Sequence, residues 1–305
     1  MAWKKILQQE YEEKLHIEWN VPLAKHTTFK IGGPAECMIT AESESDIREV
    51  IQFAKTHRVP IHILGNGSNL LVDDNGVDGI VLHIARGMQQ IKVNGTQIIA
   101  EAGARMAQVA KAALDSALTG LEFSFGIPGT IGGGVIMNAG AYGGELSQVV
   151  TRVEAFDREG NFYTFANKDL NFGYRKSLLK EKGYIVTKVY MECKEGDQQA
   201  IKTLMSDLSA RRMEKQPLEY PSAGSTFKRP EGYFVGKLIE ETNLKGASVG
   251  GAKVSPKHGG FIINDKEATC EDVKSLIKHI QETILQKYNV ALEPEYVFWE
   301  KDADK

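Results

Sequence analysis

The chain has 305 residues, of which 42% are apolar and 25% charged, and its formal net charge is −3. That length and composition imply a folded protein of two or three subdomains. The charge supplies no field for gripping a nucleic-acid backbone, so a nucleic-acid partner is not expected.

Residues 1–20 read as a helical or loose extension without the continuous apolar stretch of a signal peptide. No run approaches the roughly 20 apolar residues that span a bilayer. Cys37, Cys193 and Cys270 lie far apart, so no metal cluster or disulfide framework is expected, and a sparse, odd count suits a reducing compartment. A cytoplasmic protein with no membrane partner is the expectation. Ser43 is placed to cap a helix through Arg58, with Ile47, Val50, Ile51 and Ala54 on one face. Residues 59–64 read as a strand that runs into the turn Gly65-Asn66-Gly67, and 79–84 and 97–100 as further strands. Met106, Val109, Ala110, Ala113, Leu114 and Ala117 mark a second helix. Residues 149–156 and 161–165 predict a hairpin, and 184–193 another strand. Ile201, Leu204, Met205 and Leu208 form a helical stripe, and the polar stretch between Pro217 and Pro221 marks a domain junction near 200–220. A helix with Val273, Leu276, Ile277, Ile280 and Ile284 on one face is followed by a closing strand over 290–299. Strands and helices mix without regular alternation, which argues an α+β fold.

Glycine numbers 30 and is clustered, at 65–67, 126–134, 140–144 and 246–260. Leu64-Gly65-Asn66-Gly67-Ser68-Asn69-Leu70 frees successive amides to point into one concavity, an anion nest. It is neither a Walker loop nor a Rossmann fingerprint, because no Lys-Ser or Lys-Thr follows, the third glycine is missing and a strand comes next. By itself it fits a tight turn as well as a phosphate site. Gly126-Ile127-Pro128-Gly129-Thr130-Ile131-Gly132-Gly133-Gly134 runs on to Asn138-Ala139-Gly140-Ala141. Three successive glycines cost on the order of 1 kcal/mol each against alanine, which points to backbone held close to a ligand.

These two loops together resemble the FAD-binding half of the UDP-N-acetylenolpyruvoylglucosamine reductase (MurB) family, of the PCMH-type or vanillyl-alcohol-oxidase-like flavoprotein fold. The resemblance runs from His26-Thr27-Thr28-Phe29-Lys30-Ile31-Gly32-Gly33 to Glu295. It implies an FAD-binding domain over 21–200, made of two α+β subdomains split near residue 80, and a C-terminal α+β substrate-binding domain over 201–305. It also implies that FAD is held non-covalently, with Gly65, Asn66, Gly67, Ser68, Asn69 and Leu70 on the pyrophosphate. Gly126, Ile127, Pro128, Gly129, Thr130, Gly132, Gly133, Asn138, Ala139, Gly140 and Ala141 would line the rest. NADPH is the implied co-substrate, and no metal is implied.

Three further motifs resemble the same family: Tyr174-Arg175-Lys176-Ser177, Pro221-Ser222-Ala223-Gly224-Ser225-Thr226-Phe227-Lys228 and Leu292-Glu293-Pro294-Glu295-Tyr296. The implied catalytic trio is Arg175, Ser225 and Glu295. The implied reaction reduces UDP-N-acetylglucosamine enolpyruvate to UDP-N-acetylmuramate for peptidoglycan synthesis, and with it cell-wall biogenesis, shape and division. Charge builds on an enolate-like carbon and its carboxylate, so a cation and a proton donor are needed. A guanidinium fork suits the carboxylate, the serine the protonation, and Glu295 an acid or a hydrogen-bond organiser. Glu293, two residues away, competes for the acidic role. Lys215, Lys228, Arg229 and Lys253 are candidates for the substrate diphosphate, beside Tyr174. Residues 250–264 also resemble a family segment, in which His258 reads as structural or solvated more readily than catalytic. Tyr174 is soon followed by the 184–193 strand, which resembles the shorter type II form and not the type I enzymes with an inserted loop. Two other readings compete: an oxidase of the same fold acting on an alcohol or hydroxy acid, and a non-catalytic nucleotide-binding protein.

Overall fold

The computed structural model describes residues 2–301. The chain forms two compact units, each gathered from separated stretches. One holds the residues up to Trp19, Cys37–Asn66 and Gly79–Arg211; the other holds Asn20–Glu36, Gly67–Asp78 and the residues from Arg212 onward. The change of unit between Arg211 and Arg212 falls inside the helix Gln198–Lys215.

The first unit contains a five-stranded antiparallel sheet in the order Phe162–Ala166, Val150–Phe156, Ile185–Glu192, Gln97–Glu101, Ile91–Asn94. The expected hairpin closes with Phe156 opposite Phe162 and Arg152 opposite Ala166. The helix Met106–Asp115 buries Met106, Val109, Ala110 and Ala113, the spacing of one helical face. The helix Glu44–His57 begins where the sequence indicates. Ser43 Oγ accepts the Asp46 amide at 3.2 Å while the Asp46 carboxylate accepts the Ser43 amide at 3.1 Å, a reciprocal cap worth about 1 kcal/mol. Arg58, left-handed at φ 54°, ends it.

A second sheet runs His16–Pro22, Pro34–Thr40, Val77–His83, Ile61–Leu64, the last two strands parallel. The N-terminal stretch is therefore more ordered than its sequence indicates. It forms the helix Ala2–Tyr11 and the strand His16–Pro22, with Trp3 and Leu7 buried one helical turn apart and the Trp3 and Trp19 rings 6.0 Å apart.

The second unit has its own core, in which Phe29, Ile31 and Leu71 pack with residues of the C-terminal stretch. A three-stranded sheet, Ser248–Val249, Ala252–Val254, Ile262–Asn264, accompanies the helices Val235–Glu241 and Cys270–Tyr288. The longer helix buries Val273, Leu276, Ile277, Ile280 and Ile284 as their spacing predicts, between a Thr269–Asp272 capping box and a left-handed Asn289. The closing strand is shorter than expected. Only Val297–Trp299 is a strand, paired in parallel with Leu70–Val72. Pro294 has no amide to give a ladder, and the residues before Val297 make a single bridge, Phe227 to Pro294.

Candidate active site

The first glycine loop leaves the strand Ile61–Leu64 and reaches the strand Leu70–Val72. Among the described residues, the amides of Gly65, Asn66, Gly67, Ser68 and Asn69 donate to no protein acceptor. Gly67 has φ 60°, and a Cβ there would lie 2.2 Å from the His26 carbonyl oxygen. Only glycine fits so close to that backbone. Two asparagines anchor the loop. The Asn66 side-chain Nδ2 donates to the Pro128 carbonyl, tying the loop to the second glycine segment. The Asn69 side-chain Nδ2 donates to the Glu295 carbonyl at 3.1 Å, and the Val297 backbone amide returns a bond to the Asn69 carbonyl at 2.9 Å.

The second glycine segment is not all loop, as its sequence suggests. Ile131–Ile136 is a short helix, started by Thr130, whose Oγ1 accepts the Gly133 amide at 3.2 Å. Its other early amides are also satisfied within the protein, Ile131 on the Ala104 carbonyl at 2.8 Å and Gly132 on the Ala102 carbonyl at 3.0 Å. Packing explains two of the three glycines: a Cβ on Gly132 would come 2.7 Å from Ala102 Cβ, and one on Gly134 would come 2.8 Å from Met106 Sδ. Gly133 differs. It is exposed, and a Cβ there meets nothing nearer than Thr130 Oγ1 at 3.4 Å. Within the first unit, the acceptor-free amides of Gly65 and Asn66 and the bare backbone at Gly133 are a donor set and an open face that fit a dinucleotide carrying a flat ring. The helix amides are already taken and add nothing to that fit.

Asn138 is buried, and both ends of its side chain are occupied by the protein. Its Nδ2 donates to the Gly173 carbonyl at 3.2 Å and its Oδ1 accepts the Ser147 amide at 2.9 Å. Its work is to hold the turn Gly173–Lys176, which closes on itself through Gly173–Lys176 backbone bonds of 3.1 and 3.2 Å. A second clamp lies just beyond: fully buried Ser177 donates to the Ile136 carbonyl at 2.6 Å and caps the helix Leu178–Lys182. Arg175 sits in this turn at φ 55°, half-buried, with its guanidinium 5.1 Å from the exposed Tyr174 ring. A non-glycine residue in that conformation is strained by about 1 kcal/mol or more, and such strain persists where the surroundings over-determine it.

Ser225 and Glu295 lie on stretches joined backbone to backbone. The Glu295 amide donates to the Thr226 carbonyl at 2.8 Å, and the Lys228 amide to the Glu293 carbonyl at 2.9 Å. Ser225 is exposed and Glu295 half-buried. Gly224, at φ 82°, turns the chain just before Ser225. Glu293 is the more exposed carboxylate and is ion-paired to Lys228.

The basic candidates differ in availability. Lys253 pairs with Asp265 at 3.4 Å, and the Arg229 guanidinium lies 4.0 Å from the Phe234 ring centroid. Lys215 is exposed at the end of its helix. His258 accepts the Gly260 amide on Nδ1 at 3.0 Å and lies edge-on to Phe261, and burial lowers its pKa, so a neutral ring serves the loop. All three cysteines are buried, and burial pushes the Cys193 thiol up to about 11 and Cys270 to about 12.

The family model for the C-terminal domain of UDP-N-acetylenolpyruvoylglucosamine reductase matches residues 216–299, and that of an FAD binding domain matches 35–166. The chain is 49% identical over 284 residues to the UDP-N-acetylenolpyruvoylglucosamine reductase of Caldanaerobacter subterraneus subsp. tengcongensis, covering 93% of each. It is 43% identical over 300 residues to that of Clostridium beijerinckii, covering 98% of each. The crystal structure of UDP-N-acetylenolpyruvylglucosamine reductase (MurB) from Thermus caldophilus superposes with a TM-score of 0.81 at 36% identity, over 94% of this chain and 99% of that one. The α+β FAD-binding fold expected from the resemblance is thus the fold of this chain.

Proposed function

The chain belongs to the UDP-N-acetylenolpyruvoylglucosamine reductase family, and from that premise we propose that it reduces UDP-N-acetylglucosamine enolpyruvate to UDP-N-acetylmuramate at the expense of NADPH. FAD, when bound, would supply two-electron hydride chemistry between NADPH and the terminal carbon of the enolpyruvyl group. The amides of Gly65 and Asn66 and the open backbone at Gly133 hold it, without a covalent bond.

Arg175 binds the substrate carboxylate. Its permanent charge and forked donors stabilise the enolate-like charge that builds as hydride arrives. Ser225 Oγ gives its proton to the neighbouring carbon, completing the saturated lactyl ether. Glu295 orders the hydrogen bonds around that carbon. The observation that carries this reading is the Asn69 side chain on the Glu295 carbonyl, together with the Glu295 amide on the Thr226 carbonyl: the cofactor loop, the acid and the serine stretch form one bonded set. Tyr174, Lys215, Lys228, Arg229 and Lys253 are the candidates for the UDP-sugar. Lys228 and Lys253 would have to exchange a carboxylate partner for phosphate.

The brevity of the segment after Tyr174 supports the shorter type II form. We place the reaction in the cytoplasm, where buried thiols stay reduced, and its product in cell-wall assembly, shape and division. Among the described residues no helix is long and apolar enough to cross a membrane. The test is direct. The purified protein should be yellow, release FAD on denaturation, and oxidise NADPH only when the enolpyruvyl UDP-sugar is present. Ser225→Ala should keep FAD and its reduction by NADPH while losing substrate reduction. Near wild-type turnover by that variant would remove the serine from its role.

A further inference from the structure

Behind Ser225 and Glu295 stands a pair of buried hydroxyls, those of Thr226 and Tyr296, 1% and 5% exposed. On one stretch exposed Ser225 precedes buried Thr226, and on the other half-buried Glu295 precedes buried Tyr296, so the two buried side chains meet directly behind the two site residues. Thr226 Oγ1 and Tyr296 Oη are 2.9 Å apart. The Ile262 amide donates to Thr226 Oγ1 at 3.0 Å, and Tyr296 Oη reaches the Gly224 carbonyl at a longer 3.5 Å.

The Ile262 amide occupies one lone pair of Thr226 Oγ1, and either hydroxyl of the pair can donate to the other. Backbone bonds lock both stretches around it: Thr226 amide to Gly260 carbonyl and Glu295 amide to Thr226 carbonyl, both 2.8 Å. The Tyr296 ring is held edge-on to Phe29, with centroids 5.7 Å apart. Valine and phenylalanine would fill the same space with no polar atom to satisfy. A fully satisfied buried pair, by contrast, admits only one register of its two strands of backbone. Burial raises the Tyr296 pKa, so the phenol stays neutral and orders its neighbours without itself carrying the proton.

We propose that Thr226 and Tyr296 are positioning residues for the protonation step, fixing the Ser225 stretch against the Glu295 stretch so that the serine Oγ stays aligned with the carbon it protonates. This rests on the reading of Ser225 as proton donor.

The test uses the full-length holoenzyme and three variants, Tyr296→Phe, Thr226→Val and Thr226→Ser. Stopped-flow measurement separates flavin reduction by NADPH from flavin reoxidation by the enolpyruvyl UDP-sugar. Amide hydrogen exchange reports on residues 224–227 and 295–296 without turnover. Tyr296→Phe and Thr226→Val should slow reoxidation by about tenfold or more, the scale expected of a small misplacement of a reacting group. Flavin reduction, FAD content and substrate KM should stay at wild-type values, and exchange should quicken at the two stretches. Thr226→Ser, which keeps the hydroxyl, should recover the rate. The proposal is overturned if Tyr296→Phe reoxidises like wild type, if both half-reactions and FAD content fall together, or if serine rescues no better than valine. Should Thr226→Val fail to fold, Tyr296→Phe decides, since it keeps the ring and its contact with Phe29. Ser225→Ala run alongside separates the two ideas: wild-type reoxidation by that variant would sink the proton-donor assignment itself.

Discussion

Arg175 occupies a left-handed backbone position that a side chain resists, held there from two sides by Asn138 on the Gly173 carbonyl and Ser177 on the Ile136 carbonyl. Both anchors come from or bind to the end of the glycine-rich helix, so the arginine turn is referenced to that helix. Arg175→Lys keeps the charge and loses the fork, and should lower kcat for substrate reduction by about 10²-fold while flavin reduction by NADPH proceeds. Ser177→Ala leaves the trio intact and frees the turn, and should also lower kcat, by about tenfold or more, in steady-state assays of the enolpyruvyl substrate. The motif that contains Ser177 is legible in the sequence, but its role is not, because its partner lies 41 residues away at Ile136. Asn138 is a harder case. Its place in a glycine-rich segment suggests a cofactor contact, whereas its amide is committed to the protein at both ends.

Elements show the same split between what composition signals and what packing requires. The three glycines at 132–134 look alike in sequence and are not alike in the fold. Gly132 and Gly134 are small because Ala102 and Met106 press against them; Gly133 is small beside open space. Gly132→Ala should therefore overpack the helix against the sheet, costing about 1–3 kcal/mol and lowering Tm. Gly133→Ala should leave Tm at or above wild type, since alanine favours the helix by up to about 1 kcal/mol, and should instead weaken FAD retention on gel filtration.

The helix Cys270–Tyr288 offers a test by pH. The Asp272 carboxylate accepts the Thr269 amide at 3.0 Å and the Gly251 amide at 3.1 Å, and these bonds hold its pKa below the ordinary 3.8. A carboxylate lowered by folding stabilises fully above the unfolded value, and that contribution is lost as pH falls through the folded one. The Tm deficit of Asp272→Ala, for a cap worth about 1 kcal/mol, should thus be present near neutrality and shrink on acidification below about pH 4. A deficit that grew on acidification would contradict the assignment.

At the scale of the whole molecule, the chain passes repeatedly from one unit to the other, and neither core is contiguous in sequence. Phe29, Ile31 and Leu71 belong to the same core as the C-terminal helix, and the strand Val297–Trp299 pairs with Leu70–Val72. A fragment comprising only residues 212–305 should therefore lack cooperative unfolding by circular dichroism. It would leave both a core gap and an unpaired strand.

The sequence by itself determined the kind of molecule. Caps, periodic apolar faces and the hairpin placed most long helices and strands, because those signals act within a few residues. The glycine loops and three short motifs named the family, which the comparisons show, and proposed its trio. It did not determine that residues 20–36 and 67–78 join the C-terminal stretch, that the glycine run contains a helix, that Pro294 cuts short the closing strand, or that Thr226 meets Tyr296. Only the tertiary structure decided these, because each depends on atoms brought together from distant parts of the chain, and local propensity carries no record of such partners.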